Sequence, residues 1–307
     1  MKIAIIGSGA MGCLYGGLLA EGGNEVYLID IWKEHVDTIN EKGLNIKGLT
    51  GERVISNIKA TTDSKEIGKV ELALVFVKST STGEAARENK DVVDENTVVL
   101  TLQNGLGNLE KLMQVWDSSV IAGTTAHGAT LIGPGSILHA GQGKTIIGEV
   151  SGLATKRIEW IQKVFNDSRI DTDISDNVMG LIWDKLLVNI GINAITALTG
   201  LRNGQLLEHE ETEWILEEAV KEAFQIAQLK GIRLHYEDPI AHTKDVCRAT
   251  AENKASMLQD VIHKRETEIK MINGAIADEA EKYGVITPVN KLLTNLILMK
   301  EKLYEIV

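Results

Sequence analysis

The chain has 307 residues, a formal net charge of −11 and a hydrophobic content of 44%. This length allows two domains with apolar cores, and the hydrophobic content excludes an intrinsically disordered chain. The acidic net charge argues against nucleic acid or an anionic membrane as the partner, because phosphate-rich surfaces attract basic proteins.

Cysteine and histidine usage argues against a disulfide framework and against a protein-bound metal. The two cysteines are Cys13 and Cys247, and the seven histidines form no pair at the spacing of zinc ligands. No apolar run approaches the roughly 20 residues of a transmembrane helix, and the N-terminal apolar run is too short for a signal peptide. We therefore expect a cytoplasmic protein with reduced cysteines, no metal and no membrane partner.

The first predicted elements are a buried parallel strand at residues 3–6 and a helix directly after it. Between them, three glycines have the G-x-G-x-x-G spacing of a dinucleotide-binding loop. The first glycine permits a tight turn, the second lets a pyrophosphate approach the backbone, and the third lets the helix pack closely. The cofactor contacts predicted in this loop are Gly7, Ser8, Gly9, Ala10, Met11 and Gly12.

A second apolar run, at residues 26–29, ends in Asp30. This acid lies 18 residues after Gly12 (30 − 12), near the offset of about 20 residues at which a carboxylate binds the adenosine ribose of a dinucleotide. Together with the glycine loop, it predicts a Rossmann-type nucleotide site.

Short apolar runs alternate with polar helical stretches up to about residue 174. Further strands are predicted at residues 72–77, 98–102 and 120–125. A hairpin is predicted between residues 137–138 and 145–147. This pattern indicates a doubly wound, mostly parallel α/β sheet that ends in antiparallel strands.

Beyond residue 174 the apolar pattern has a helical period. Long helices are predicted near residues 176–198, 210–230, 250–282 and 287–304. Pro239 and Pro288 fall at helix starts, where proline is tolerated, and Asp238 can cap the first of them. We therefore expect a dinucleotide-binding domain over 1–174 and a helical substrate domain over 175–307, with the active site in a cleft between them.

Three polar residues, Lys185, Asn189 and Asn193, lie four residues apart in an otherwise apolar helix, and hence on one face of it. Each buried polar group without a partner would cost about 1–3 kcal/mol. The spacing alone leaves two interpretations open, a buried functional stripe and a solvated surface stripe.

Three sequence segments resemble the ketopantoate reductase family, and the resemblance runs from end to end of the chain. They are Trp-x-Lys-Leu-x-x-Asn-x-x-x-Asn-x-x-Thr-Ala from Trp183, Ser-Met-Leu-Gln-Asp from Ser256, and Arg-x-Thr-Glu-Ile-x-x-Ile-Asn-Gly from Arg265. The Gln-Asn-Gly-Leu-Gly-Asn run at 103–108 supports them. The resemblance implies a Rossmann-type α/β domain followed by an all-helical domain, an arrangement like that of 6-phosphogluconate dehydrogenase.

The resemblance also implies a role for each matching residue. Lys185 matches the lysine that donates a proton to the ketone oxygen, for which an ammonium group is chemically suited. Glu268 matches a glutamate that binds the substrate hydroxyl beside that lysine and also belongs to the cofactor set. An exposed helix charge is the alternative for Glu268, and a solvated strand-end lysine is the alternative for Lys78, which matches a cofactor contact. The implied substrate contacts are Asn104, Asn189, Asn193, Asn203, Asn253 and Ser256, of which Asn104 also contacts the cofactor.

The activity implied is NAD(P)H-dependent reduction of ketopantoate, a small 2-keto acid, to (R)-pantoate in pantothenate and coenzyme A biosynthesis. The family usually uses NADPH and has an arginine near the end of the second strand. Asp30 instead favours NADH, because a carboxylate repels a 2′-phosphate, although Lys33 could bind one. An NAD-dependent D-2-hydroxyacid dehydrogenase for branched or aromatic 2-keto acids is the alternative enzyme. A non-catalytic NAD(P) sensor is disfavoured, since it needs no proton donor. Monomer and homodimer both stay open.

Overall fold

The structure, a computed structural model, describes residues 1–116 and 120–305. It contains two compact units. The first comprises Met1–Gln103 and the chain from Asn108 to Val178, and the second comprises Asn104–Gly107 and the chain from Met179 onward. The short segment after Gln103 therefore packs with the helical part of the chain. The assignment of cofactor binding to 1–174 and of substrate binding to 175–307 stays a prediction.

The described part of the first unit contains strands and five α-helices. The strands are β1 (Lys2–Ile6), β2 (Glu25–Ile29), β3 (Leu44–Gly48), β4 (Arg53–Ile55), β5 (Ile58–Thr61), β6 (Leu72–Val75), β7 (Val98–Thr101), β8 (Val120–Thr125), β9 (Gly128–Gly133), β10 (Ser136–Gly141), β11 (Thr145–Gly148) and β12 (Thr172–Ile174). The helices described in this unit are α1 (Ala10–Glu21), α2 (Lys33–Lys42), α3 (Thr82–Glu88), α4 (Asn108–Trp116) and α5 (Lys156–Asp167).

The main sheet has the strand order β12-β11-β8-β7-β6-β1-β2-β5. Its pairs are parallel except β11 with β8, so the predicted doubly wound sheet with an antiparallel pair near one end is confirmed. Along β1, Ile3 and Ile5 join one apolar cluster while Ala4 and Ile6 join another. Successive side chains of a strand point to opposite faces, so the sheet is covered on both sides.

A second sheet has the order β4-β3-β10-β9, and its presence corrects one prediction. The expected hairpin between residues 137–138 and 145–147 is wrong. Strand β10 instead forms its hairpin with β9, through a turn at Gly135 with φ +64°. Strand β11 pairs with β8 and β12 in the main sheet. Two neighbouring apolar runs with glycines between them resemble a hairpin, but strand pairing depends on distant partners that local sequence does not contain.

The second unit is helical, as predicted. Its helices are α6 (Val178–Thr199, which begins at the last residue of the first unit), α7 (Glu210–Leu229), α8 (Pro239–Ala249), α9 (Ser256–Ile262), α10 (Asn273–Lys282) and α11 (Pro288–Lys302). Pro239 and Pro288 open α8 and α11, and the Asp238 carboxylate accepts hydrogen bonds from the first backbone amides of α8. Helix α6 is long and apolar enough to cross a membrane, but 67% of its apolar window is buried, as in the core helix of a globular protein.

The helix predicted over 250–282 is wrong, because the chain breaks into α9, a turn and α10. Lys264 has φ +53° and closes α9 in a left-handed conformation, and Arg265 N donates to Asp260 O at 2.9 Å. The run at 263–268 is polar throughout, so it offers no apolar face that packing could hold in a helix. As a result, Glu268 lies in a turn rather than on a helix face.

Candidate active site

The glycine loop lies between β1 and α1, and each glycine has a distinct environment. Gly7 has φ +91°, and a Cβ there would lie 2.6 Å from Val77 N. A Cβ on Gly12 would lie 2.0 Å from Gly7 O, whereas none of the described atoms lies within 4 Å of a Cβ on Gly9. The loop is thus closed at its ends and open in the middle, at the N-terminus of α1, where a pyrophosphate would bind. These residues fit a dinucleotide.

The Asp30 carboxylate is anchored to this loop. Its Oδ2 accepts hydrogen bonds from Ser8 N at 2.9 Å and from Ser8 Oγ at 3.1 Å, and its Oδ1 accepts one from Trp32 N at 3.0 Å. A carboxylate has about four acceptor positions, so these bonds leave it able to accept a ribose hydroxyl. The structure therefore brings Ser8 and Asp30 together, as the nucleotide pattern requires.

His35 also supports the loop, and the sequence analysis did not identify it. This buried imidazole accepts a hydrogen bond at Nδ1 from Gly135 N at 3.0 Å, so its Nε2 carries the proton. Nε2 lies 3.4 Å from Cys13 Sγ in α1, and the Trp32 ring stacks on His35 at 5.2 Å. The signal was absent from the sequence because Gly135 is 100 residues away.

Lys78 lies in the turn that follows β6, at the same edge of the sheet as Gly7. Strands β1 and β6 are parallel neighbours, with Ile6 opposite Val75. Lys78 is partly buried, and its carbonyl accepts a hydrogen bond from Ser81 N at 2.8 Å. Its predicted cofactor contact stays a prediction.

The polar stripe lies on α6 in the second unit. Lys185 and Asn189 are partly buried, Asn193 is 4% exposed, and Asn193 Nδ2 has no hydrogen-bond partner among the residues described. Burial lowers the pKa of Lys185 to about 8, and the negative charge of Glu268 opposes that shift. This environment favours the buried interpretation of the stripe. A lysine with a lowered pKa beside a carboxylate is a typical proton donor.

Glu268 lies at the start of a 3₁₀ turn over Ile269–Met271, and its carbonyl accepts hydrogen bonds from Met271 N and Ile272 N at 2.9 and 3.1 Å. The segment that begins with Asn104 packs against this turn, because Leu106 N donates to Met271 O at 2.9 Å. The structure therefore brings the chain segments of Asn104 and Glu268 together.

Asn203 and Asn253 are in contact in the second unit, which also contains Ser256. Asn203 N donates to Asn253 O at 3.1 Å, and Asn203 Nδ2 donates to Thr250 Oγ1 at 2.9 Å. Asn203 is buried, and its Oδ1 has no hydrogen-bond partner in the described part of the chain. Asn253 and Ser256 are exposed, and Ser256 opens α9. Their roles toward a substrate stay predictions.

Known proteins match this chain over almost its whole length. Residues 3–152 match the family described as Ketopantoate reductase PanE/ApbA, and residues 177–301 match its C-terminal counterpart. The 2-dehydropantoate 2-reductase of Pyrococcus horikoshii is 39% identical over 99% of this chain and 98% of that protein. The homologue from Halobacterium salinarum, with the same name, is 34% identical over 98% of this chain and 99% of its own length.

Two solved structures are similar over nearly their full length. The PanE/ApbA family ketopantoate reductase from Ralstonia eutropha has a TM-score of 0.92 and 30% identity, with 99% of this chain and 100% of that chain covered. D-mandelate dehydrogenase with NADH and anilino(oxo)acetate has a TM-score of 0.94 and 30% identity over 99% of each chain. Both family matches and these full-length similarities lead to one assignment: the chain belongs to the ketopantoate reductase family.

Proposed function

We propose that this chain is an NAD(P)H-dependent oxidoreductase that reduces 2-dehydropantoate to (R)-pantoate. The observation that carries the proposal is the environment of Lys185, a partly buried lysine on an apolar helix. Burial lowers the pKa of Lys185 to about 8, and the charge of Glu268 opposes this shift. The full-length relatives named 2-dehydropantoate 2-reductase support this substrate. The product then enters pantothenate and coenzyme A biosynthesis, which implies a cytoplasmic enzyme.

When bound, NAD(P)H supplies the hydride to the keto carbon. Lys185 donates a proton to the ketone oxygen, and its positive charge stabilises the alkoxide that develops there. Its pKa of about 8 leaves the ammonium form dominant at neutral pH and makes proton release easier than from an ordinary lysine. Glu268 accepts a hydrogen bond from the substrate hydroxyl, and its negative charge favours the protonated form of Lys185.

The asparagines and Ser256 orient the substrate. An amide donates hydrogen bonds to a carboxylate without neutralising it, so it fixes the 2-keto acid while the charge on Lys185 is kept for the ketone oxygen. Asn193 is suited to this role, because its buried Nδ2 has no hydrogen-bond partner among the described residues. A substrate carboxylate would remove the cost of that buried donor.

We further propose NADH as the preferred cofactor. Asp30 is held against the glycine loop by Ser8, so a 2′-phosphate at the ribose would meet its negative charge. The Lys33 ammonium, which could have bound such a phosphate, is paired with Asp37 at 2.8 Å. The mandelate dehydrogenase structures that contain NADH are consistent with this preference.

The second candidate function is a D-2-hydroxyacid dehydrogenase, favoured by the similarity to D-mandelate dehydrogenase. Steady-state reduction of ketopantoate, 2-ketoisovalerate and phenylglyoxylate with NADH and with NADPH distinguishes the two. We expect the highest kcat/KM for ketopantoate with NADH. A preference for phenylglyoxylate would assign the hydroxyacid dehydrogenase activity instead, and turnover of none of the three would overturn both.

A further inference from the structure

The residue before Glu268 is held by a carboxylate from another helix. Thr267 is 1% exposed, and both its backbone N and its Oγ1 donate hydrogen bonds to Glu301 Oε1, at 2.8 and 2.6 Å. Thr267 Oγ1 in turn accepts a hydrogen bond from Ile269 N at 3.2 Å. Glu301 belongs to α11, 34 residues further along the chain.

These bonds fix the backbone of Glu268 from its N-terminal side. On its C-terminal side, the Glu268 carbonyl accepts the amides of Met271 and Ile272 in the 3₁₀ turn. The backbone of Glu268 is therefore hydrogen-bonded on both sides, which restricts where its carboxylate can lie. Charge-assisted hydrogen bonds such as those to Glu301 are stronger than neutral ones, so Glu301 contributes a large share of this constraint.

Glu301 is in the last turn of α11, where the helix dipole disfavours negative charge and the flanking Lys300 and Lys302 offset it. Burial raises the pKa of Tyr304, and the charges of Glu301 and of Asp260 in α9 raise it further. The two donors of Thr267 stabilise the Glu301 carboxylate at this position.

We propose that Glu301 is a positioning residue that acts through Thr267 to hold the Glu268 carboxylate beside Lys185. This inference deepens the proposed function and rests on it for the roles of Lys185 and Glu268. A displaced Glu268 would no longer oppose the effect of burial on Lys185, so the pKa of Lys185 would fall below about 8.

The test compares Glu301→Ala with Glu301→Gln, whose amide oxygen can still accept both hydrogen bonds of Thr267. Glu281→Ala, at an exposed position of α10, is the matched control. We expect Glu301→Ala to lower kcat/KM for ketopantoate about 10- to 100-fold. Glu301→Gln should retain most of the activity. The control should match the wild type.

The second readout is the pKa of Lys185 from nitrogen-15 NMR of labelled lysine, assigned with Lys185→Arg. It should decrease in Glu301→Ala and stay unchanged in Glu301→Gln. A folded Glu301→Ala with wild-type kcat/KM and an unchanged Lys185 pKa would overturn the inference, as would equal losses in the two variants. Because the titration needs no turnover, a wild-type enzyme that fails to reduce ketopantoate refutes the proposed function separately.

A second pair covers the case in which Glu301→Ala does not fold. Thr267→Val removes the hydroxyl but keeps the backbone amide bonded to Glu301, and Thr267→Ser keeps both. We expect Thr267→Val to lower kcat/KM and the Lys185 pKa, and Thr267→Ser to restore both. If Thr267→Val and Thr267→Ser have the same kcat/KM and the same Lys185 pKa, Glu301 does not act on Glu268 through Thr267 and the inference is wrong.

Discussion

At the scale of single residues, Lys185 is the group on which the proposed chemistry depends. Replacing it with alanine removes the proton donor and the charge beside the developing alkoxide. We expect Lys185→Ala to lower kcat about 100- to 10,000-fold while NADH affinity, measured by fluorescence titration, stays near the wild-type value. Lys270→Ala, an exposed lysine two residues from Glu268, is the control and should retain full turnover. Wild-type turnover in Lys185→Ala would remove this lysine from the mechanism.

The pKa of Lys185 also sets the pH range of the reduction. The reaction needs the ammonium form, which is present below a pKa of about 8 and is lost as the pH rises through it. The rate of reduction should therefore be constant near neutral pH and decrease about tenfold per pH unit well above 8. A profile of kcat/KM from pH 6 to 10 measures this limb. A limb that stays near the ordinary lysine value would contradict the lowered pKa.

Asp30 is the residue at which cofactor selectivity can be changed. Asp30→Asn removes the negative charge and keeps one oxygen, which can accept either from Ser8 or from Trp32. We expect the ratio of kcat/KM for NADPH to that for NADH to rise about 10- to 100-fold, as for hydrogen bonds to charged groups. Glu41→Gln is the control, since it removes an exposed charge of α2 and leaves the pair of Lys33 with Asp37 intact. If kcat/KM changes equally for NADH and NADPH, Asp30 does not distinguish the ribose of NADH from that of NADPH.

At the scale of elements, the segment Asn104–Gly107 contains two glycines that separate backbone strain from packing. Gly105 has φ +81°, and a Cβ there would lie 2.6 Å from Met271 O in the Glu268 turn. Gly107 has φ +83°, but no described atom lies within 4 Å of its Cβ position. The two positions thus share an unfavourable φ and differ in the clash.

We therefore expect both Gly105→Ala and Gly107→Ala to lose about 1–2 kcal/mol of unfolding free energy from backbone strain alone. Gly105→Ala should lose more, and only it should lower kcat/KM, because Met271 and the turn with Glu268 must move. Urea unfolding and steady-state kinetics measure these two quantities. Similar kinetics for the two variants would mean that contact with the Glu268 turn has no part in activity.

The elements that the sequence predicts well are those with local causes. Proline begins α8 and α11 because its ring conformation suits the first helical turn, and the glycine loop forms because Gly7 and Gly12 leave room that any side chain would fill. The second sheet, the partners of β10 and β11 and the break at Lys264 were not predictable in this way. They depend on pairing between distant strands and on a non-glycine residue at positive φ.

The candidate site also combines features with local causes and features that depend on residues distant in the sequence. The stripe of Lys185, Asn189 and Asn193 follows from helical spacing, which is a local property. The contact of Thr267 with Glu301 spans 34 residues, and that of His35 with Gly135 spans 100, so neither has a signal at short range. Glu268 was identified by family resemblance alone, and its place in a turn came from the structure.

At the scale of the whole molecule, burial lowers the pKa of several histidines. Burial lowers the pKa of His35, His127 and His139 of the first unit, and the charge of Arg53 lowers that of His139 further. Asp171 opposes the shift at His127, and Asp30 opposes it at His35. A backbone hydrogen bond with Gly141 opposes it at His139. His127 Nδ1 lies 3.3 Å from His139 Nε2, so a proton on one ring disfavours a proton on the other. The fold therefore favours neutral imidazoles.

This arrangement predicts a loss of stability in acid. A histidine whose pKa is lower in the folded than in the unfolded state binds more protons when unfolded, so stability is complete above the unfolded value of about 6.5 and decreases as the pH falls below it. We expect the melting temperature to fall between pH 7 and pH 5. His139→Leu removes one buried imidazole that is 2% exposed and should reduce this dependence, whereas His209→Leu, at an exposed position, should not. Equal pH dependence in both variants would mean that His139 titrates alike in the folded and unfolded chain, and that the acid sensitivity has another origin.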